Sequence, residues 1–190
     1  MPRPARYSVD EFLDAAAALL AADGPAAVNM SAVARSVGAP SGSMYHRFPT
    51  RAALCAELWI RTEERFQSGF VDALDATGDT VTRGVAAALF TLQWCRDHDD
   101  EARVLLVGAD ALDRPAWPEY VRTRRSALRR TLNRALARLD VEPERLRAAV
   151  VDVPYAIARR HLVARQTIPS SADAIVEDCV RALLAEVSDR

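Results

Sequence analysis

The segment from residue 29 to residue 51, NMSAVARSVGAPSGSMYHRFPTR, constrains the fold more than any other part of the chain. Asn29 is a suitable N-cap for a short helix. The apolar residues that follow recur at the spacing of one helix face: Met30, Val33, Ala34 and Val37. Gly38 provides the left-handed position that ends a helix, and Pro40 suits the first turn of the next one. The first half of the segment therefore predicts a short helix and a tight turn.

The second half, from Ser41 to Phe48, is polar where a packed helix would be aliphatic. Met44 and Phe48 are four residues apart, which predicts a shared inward face. Pro49 ends the helix, because the residue before a proline is pushed out of the α region. The remaining side chains are left to point outward: Ser41, Ser43, Tyr45, His46 and Arg47. This layout predicts a helix-turn-helix whose second helix enters the major groove of DNA.

A supporting first helix is predicted just before this segment. Ser8 and Glu11 form an S-x-x-E capping box, and Gly24-Pro25 closes the helix. One apolar stripe runs between them: Phe12, Leu13, Ala16, Leu19 and Leu20. A glycine-centred turn alone is equally typical of two surface helices in an ordinary all-α domain. The supporting helix favours a three-helix DNA-binding unit over that alternative.

Residues 8–60 resemble the N-terminal domain of the TetR family of bacterial transcriptional regulators. The matching string is FLDAAAALLAADGPAAVNMSAVARSVGAPSGSMYHRFPTRAAL. It contains the Ala-x-x-x-Gly turn, the Tyr-His pair, the Phe-Pro stop and the basic residue after it. The resemblance implies a homodimeric regulator with a C-terminal domain that binds a small molecule and dimerises through its last two helices.

The resemblance also implies roles for individual residues. Tyr45 and His46 match the pair at the DNA backbone. Arg51 matches a position, usually Lys, that contacts phosphate at the start of the fourth helix, and Asn29 matches a Thr or Ser near phosphate. The full predicted DNA-binding set is Asn29, Ser31, Ser41, Gly42, Ser43, Tyr45, His46, Arg47, Thr50 and Arg51.

Composition and length predict an all-α protein of two domains. The 190 residues are 50% hydrophobic but only 6% aromatic, and no sustained apolar/polar alternation predicts a strand. We expect a helix-turn-helix domain over residues 1–50 and a ligand-binding and dimerisation domain over residues 51–190. The length suffices for two cores.

The positions of the basic residues support DNA binding, whereas the net charge of the chain does not. The net charge is −1, residues 1–51 carry +1, and all 25 basic residues are arginines, for which codon bias is the simplest explanation. Arg3 and Arg6 precede the first helix. They fit either a mobile arm that reaches DNA or an ordinary disordered terminus.

Several classes of site and location are disfavoured by the sequence. No apolar run approaches the roughly 18 residues of a membrane span, and no signal peptide is evident, so we expect a cytoplasmic protein without a membrane partner. Cys55, Cys95 and Cys179 lack metal-ligand spacing and are expected to be buried free thiols. No nucleophile–base pair or Gly-rich phosphate loop is present, so we expect neither catalysis nor a cofactor or metal.

The rest of the chain is predicted to form six helices. They span 51 to about 74, 79 or 80 to about 97, 101–108, about 116–139, about 143–164 and about 171–187. Pro154 is expected to kink the fifth of these. Apolar stripes follow the last two: Leu146, Val150, Val153, Ile157, Ile175, Val176, Val180, Leu183, Leu184 and Val187. The stripes fit either docking on a second copy as a four-helix bundle or packing into their own core.

The resemblance implies a ligand pocket that is enclosed by the fifth to eighth helices of the chain. These are the four helices predicted from residue 79 or 80 to about residue 164. The candidate lining residues are Phe90, Trp94, Leu105, Trp117, Tyr120, Leu128 and Tyr155. Each is also typical of an ordinary core position. The arginines of the helix at 116–139 fit a solvated basic face, or less simply an anionic ligand.

Together these patterns predict a ligand-responsive repressor that binds a palindromic double-stranded operator as a homodimer and responds to a hydrophobic effector. A small all-α enzyme is one alternative. A helical adaptor that has lost DNA affinity is another. Ser31 and Ser41 leave the adaptor as an alternative, because they stand where the family often has Arg and Lys.

Overall fold

The computed structural model describes residues 7–185, apart from the side chain of Ser41. Arg3, Arg6 and Val187 lie outside this range. All regular structure within it is helical, which confirms the all-α prediction. The helices are α1 Val9–Asp23, α2 Met30–Ser36, α3 Ser41–Arg47, α4 Arg51–Leu74, α5 Thr80–Asp97, α6 Asp99–Val107, α7 Glu119–Leu136, α8 Pro143–Arg147, α9 Val153–Val163 and α10 Ser171–Leu184. Three 3₁₀ turns lie at Pro25–Ala27, Ala109–Leu112 and Arg114–Ala116.

The helix starts follow the capping residues of the sequence. Ser8 accepts a hydrogen bond from the Glu11 amide at 3.1 Å, and the Glu11 carboxylate accepts one from the Ser8 amide at 2.6 Å. These bonds lower the pKa of Glu11. Asp79 caps α5 by accepting from the Thr82 amide at 2.7 Å, and this bond lowers its pKa as well. Orphan amides at both helix starts are thereby satisfied.

The chain folds into two compact units, and the first contains the helix-turn-helix. It comprises the chain up to Glu63 together with Arg103–Arg125. Its core holds the Phe12 ring edge-on to Phe48, with centroids 6.4 Å apart. Arg61 of α4 is buried and reaches back to α1, where it pairs with Asp10 at 3.0 Å and Asp14 at 2.8 Å.

The second unit comprises Glu64–Ala102 and the chain from Ser126 onward. Here α10 packs directly on α5 because α5 presents a glycine at the crossing. A Cβ built on Gly84 would lie 2.4 Å from a Leu184 methyl and 3.4 Å from one of Val180. Part of the predicted stripes therefore faces the unit's own core: Leu146, Val150, Val176, Val180 and Leu184 are buried.

Three large apolar side chains of α9 and α10 remain exposed. Tyr155 is 48% exposed, Val163 60% and Ile175 51%. Of these, only Ile175 belongs to the predicted stripes. The two helices thus carry a buried apolar side and a separate set of outward apolar residues.

The helix predicted over about 143–164 is interrupted by a π turn. The turn spans Ala148–Asp152, between α8 and α9, and Pro154 follows it closely. Pro154 has no N–H to give the carbonyl of Val150, four residues earlier, and its ring would crowd that carbonyl. A π turn widens the backbone at such a point. The predicted disturbance thus takes the form of a local π turn.

Two of the three cysteines are buried free thiols, as predicted, and Cys179 is half-buried. Burial raises the pKa of Cys55 and raises that of Cys95 to about 11. No three His, Cys, Asp or Glu residues within 7–185 are grouped to hold a metal ion. No helix in this part of the chain is both long and apolar enough to cross a membrane.

Candidate nucleic-acid interface

The turn between α2 and α3 has the geometry expected of a helix-turn-helix. Gly38 adopts a φ of +70°, which residues with a side chain rarely take up. The next amide, of Ala39, donates to the Ala34 carbonyl at 2.8 Å and closes the end of α2. Pro40 then sits at the N-cap of α3.

Helix α3 has two distinct faces. Met44 and Phe48 are 0% and 2% exposed and anchor the inner face, as predicted. Tyr45 is 57% exposed, and His46 is exposed beside it. An aromatic side chain that is open to solvent on a short, well-anchored helix has no packing function in this unit. The outer face is therefore available to a partner.

The remaining candidate DNA-binding residues fall into two groups by exposure. Those that are exposed are Asn29, Ser31, Gly42 and Thr50; those that are half-buried are Ser43, Arg47 and Arg51. Asn29 and Thr50 act as helix caps, since their side-chain oxygens accept from the amides of Ala32 at 2.9 Å and Ala53 at 3.1 Å. Their side-chain oxygens are thus engaged within the protein.

Arg51 holds the start of α4 against the 3₁₀ turn before α2. Its Nε donates to the Val28 carbonyl and its Nη2 to the Pro25 carbonyl, both at 2.7 Å. The sequence indicated a phosphate contact for this residue and gave no sign of these bonds. The geometry assigns Arg51 a structural role in addition to any role at DNA.

Tyr7 is a residue of this region that sequence reasoning missed. Its hydroxyl donates to the Gly38 carbonyl at 2.8 Å, and its own carbonyl accepts from Arg47 at 3.4 Å. Its ring lies 6.2 Å from that of Phe12. Tyr7 precedes the N-cap and Phe12 is the fourth helical residue, the two positions of a hydrophobic staple, so the staple rule would have found it. A cleft of about 560 Å³ opens between Tyr7 and α3.

The charge around this surface is one-sided. Between Asp23 and Glu57 the chain contains Arg35, Arg47 and Arg51 and no Asp or Glu. A local positive charge without acidic neighbours attracts phosphate even though the whole chain is weakly acidic.

The candidate ligand residues are distributed over both units. In the first, Trp117 is buried and donates from its indole to the Leu112 carbonyl at 2.8 Å, while Leu105 is half-buried. Tyr120 is 51% exposed; burial of its hydroxyl and the hydrogen-bonded Glu57 carboxylate raise its pKa to about 12. The indole and the phenol therefore already have partners.

In the second unit the structure brings two of the candidates together. Phe90 and Trp94 both lie against Phe66, with ring centroids 5.8 and 5.1 Å away. Phe66 was missed because its spacing on α4 resembles that of any core residue. Leu128 is half-buried, and Tyr155 is exposed on α9.

Comparison with protein families shows which family the N-terminal domain resembles. Residues 12–58 match the family model described as bacterial regulatory proteins, tetR family. This segment of the chain is similar to the N-terminal domain of TetR-family proteins. The proteins of this family are described as bacterial regulatory proteins.

Solved structures with this TetR-family fold cover nearly the whole chain. A TetR family transcription regulator from Marinobacter aquaeolei VT8 has a TM-score of 0.72 at 12% identity, over 93% of this chain and 94% of that one. The regulator FadR from Bacillus subtilis, solved with stearoyl-CoA, has a TM-score of 0.70 at 11% identity, over 95% and 100%. The ketosteroid regulator KstR2 of Mycobacterium tuberculosis has a TM-score of 0.65 at 18% identity, over 96% and 95%. A search of curated protein sequences gives no match.

A substitution at Gly42 tests which side of α3 faces the DNA. A Cβ added there meets no atom within 4 Å, and its φ is not in the left-handed region. Gly42→Ala should therefore stabilise the free protein by about 0.5–1 kcal/mol, because alanine favours a helix over glycine. The same methyl group should weaken DNA binding if α3 lies closely in the groove. Chemical denaturation and a gel shift measure the two effects, and tighter DNA binding would contradict the placement.

Proposed function

We propose that the protein is a ligand-responsive repressor that binds a palindromic operator as a homodimer in the cytoplasm. Residues 1–50 form the DNA-binding domain in this proposal, and residues 51–190 bind the effector and the second copy. The observation that carries it is the two-faced α3, whose inner residues are buried and whose Tyr45 and His46 are exposed. Side chains on such a face reach base edges and phosphates in the major groove.

Dimerisation is supported by the exposed apolar residues of α9 and α10. A single recognition helix makes few contacts, whereas a two-fold pair reads two half-sites about 34–36 Å apart. A two-fold interface uses the same patch on both copies, so one self-complementary apolar patch suffices. Tyr155, Val163 and Ile175 are the candidates for that patch.

A hydrophobic effector is supported by the aromatic residues of the second unit and by two of the structural neighbours. FadR is solved with stearoyl-CoA, and KstR2 is a ketosteroid regulator. Helix α4 carries the signal in this proposal, since it begins at Arg51 and continues for 24 residues to Leu74. A coupling free energy on the order of 1–3 kcal/mol between effector and operator gives a useful switch.

Replacement of Tyr45 by alanine tests the DNA-binding surface. We expect wild-type protein to shift its own upstream DNA in a gel, with an affinity that falls steeply with salt. Tyr45→Ala should weaken binding about 5- to 100-fold, because base and backbone contacts of this kind are worth roughly 1–3 kcal/mol.

Gln93→Ala is the control, because Gln93 is also exposed but lies on α5, away from the helix-turn-helix in sequence. It should bind DNA like the wild type. The absence of any shift by wild-type protein would favour the helical adaptor. Release of the promoter from repression on deletion of the gene would establish the sign of regulation, and reduced expression would instead indicate an activator.

A further inference from the structure

Gln67 on α4 is a buried polar side chain without a hydrogen-bond partner. Gln67 is 7% exposed. Its side-chain Oε1 atom is buried and has no hydrogen-bond partner among the described residues. An unpaired buried acceptor destabilises a folded protein. Since nearly all buried polar groups in native proteins are paired, we expect this atom to be paired with either an ordered water or a ligand.

The positions one helical turn away on α4 do not supply that partner. Glu63, four residues earlier, accepts from the Trp59 indole at 3.0 Å and from Arg125 at 3.2 Å, and a carboxylate has no proton to donate. Phe70, three residues later, is 3% exposed and stacks on Phe66 at 5.8 Å. Along the helix, Gln67 is therefore flanked by the apolar Phe70 and Val71 on one side and by the carboxylates of Glu63 and Glu64 on the other.

Phe70, one helical turn from Gln67 on α4, belongs to an aromatic cluster that includes two candidate ligand residues of the second unit. Phe66 contacts Phe70 on α4 as well as Phe90 and Trp94 on α5. A ligand that reaches the Gln67 carbonyl would thus lie close to rings that favour an apolar body. Ligand sites of this kind combine many apolar contacts with one or two placed polar groups.

We propose that Gln67 is the polar anchor of the effector site and accepts a hydrogen bond from a neutral, largely apolar molecule that carries a hydroxyl or N–H group. This inference rests on the proposed effector-binding function. A neutral donor fits because the Glu63 carboxylate is already paired with Arg125 and Glu64 is also engaged within the chain, so a charged ligand would be buried without a counter-ion of its own. An ether or other molecule without a donor would leave the Gln67 oxygen unpaired.

The first experiment measures the melting temperature of ligand-free protein. Gln67→Leu removes the unpaired oxygen at similar volume and should raise Tm by about 2–6 °C. The matched control is Gln93→Leu on α5, where the exposed amide donates to Asp97 at 2.9 Å, and no rise is expected. A fall in Tm for Gln67→Leu would mean that the oxygen already has a partner, from protein or a bound water, and would overturn the proposal.

The second experiment compares 2-naphthol with 2-methoxynaphthalene, which differ in the hydroxyl donor. Calorimetry on the full chain should give wild-type protein at least about a fivefold lower Kd for 2-naphthol, and Gln67→Leu should lose that preference while Gln93→Leu keeps it. Equal Kd values in the wild type would overturn the role of Gln67 but leave effector binding intact. If neither compound binds, the result contradicts both the role of Gln67 and the proposed effector binding. The gel shift with operator DNA reports separately on DNA binding.

Discussion

Ile175→Asp is expected to convert the proposed homodimer to a monomer and to weaken operator binding by at least about 100-fold. In a dimer the second half-site binds at a high effective concentration, and the gain over one half-site is of the order of 10²–10⁴. Ile175 is 51% exposed near the start of α10, so aspartate costs little within the monomer. In an apolar two-fold interface the same substitution buries a carboxylate on both sides, and each lacks a partner.

Sedimentation velocity measures the oligomeric state, and a gel shift measures operator affinity. Val9→Asp is the control, because it also places aspartate at an exposed apolar position near the start of a helix, here α1. It should leave the dimer intact. If Ile175→Asp remains a dimer, the interface lies elsewhere on the chain, and the exposed apolar residues of α9 and α10 require another explanation.

Gly84→Val should destabilise the second unit by about 2–3 kcal/mol. The added Cβ alone would lie 2.4 Å from a Leu184 methyl, and the flanking Val150 and Val180 methyls at 3.5 and 3.4 Å leave little room for α10 to move. Overpacking a well-filled core costs free energy of this size. Urea denaturation followed by circular dichroism measures the change.

A double-mutant cycle tests whether the cost arises from this contact. Leu184→Ala alone should destabilise by about 2–5 kcal/mol, because it leaves a cavity over Gly84. The double variant Gly84→Val with Leu184→Ala should be less destabilised than the sum by at least about 1 kcal/mol, since the valine fills the space that leucine left. Additive losses would show that α5 and α10 are not held by this packing.

The helix-turn-helix was predictable because local residues determine it. Capping at Ser8 and Asn29, the glycine turn and the stop before Pro49 each act within a few residues, and the structure places the helix ends where these signals do. Exposure of Tyr45 followed in the same way from the four-residue spacing of Met44 and Phe48. Periodicity along one helix carries that information.

The contacts that hold these helices together were not predictable, because they join residues far apart in sequence. Nothing near Arg61 indicates a pair with Asp10, and nothing near Arg51 indicates the Pro25 carbonyl. The stripes of the last helices were recognised as apolar, but periodicity does not say which apolar residues face the core. That distinction depended on Gly84, which admits α10 so closely that Val180 and Leu184 are buried and Ile175 is left outside.

The two carbonyl bonds of Arg51 also bear on how this position tolerates change. A guanidinium donates through several N–H groups in a fixed plane, so it joins Val28 and Pro25 at once, whereas an ammonium carries the same charge on a single flexible point. All lysine and arginine positions of the chain are arginines, and at position 51 the guanidinium has a structural function that codon usage does not explain. Lysine, the usual residue at this position in the family that the chain resembles, would keep the charge offered to DNA but would lose the planar donor that joins both carbonyls of the turn before α2.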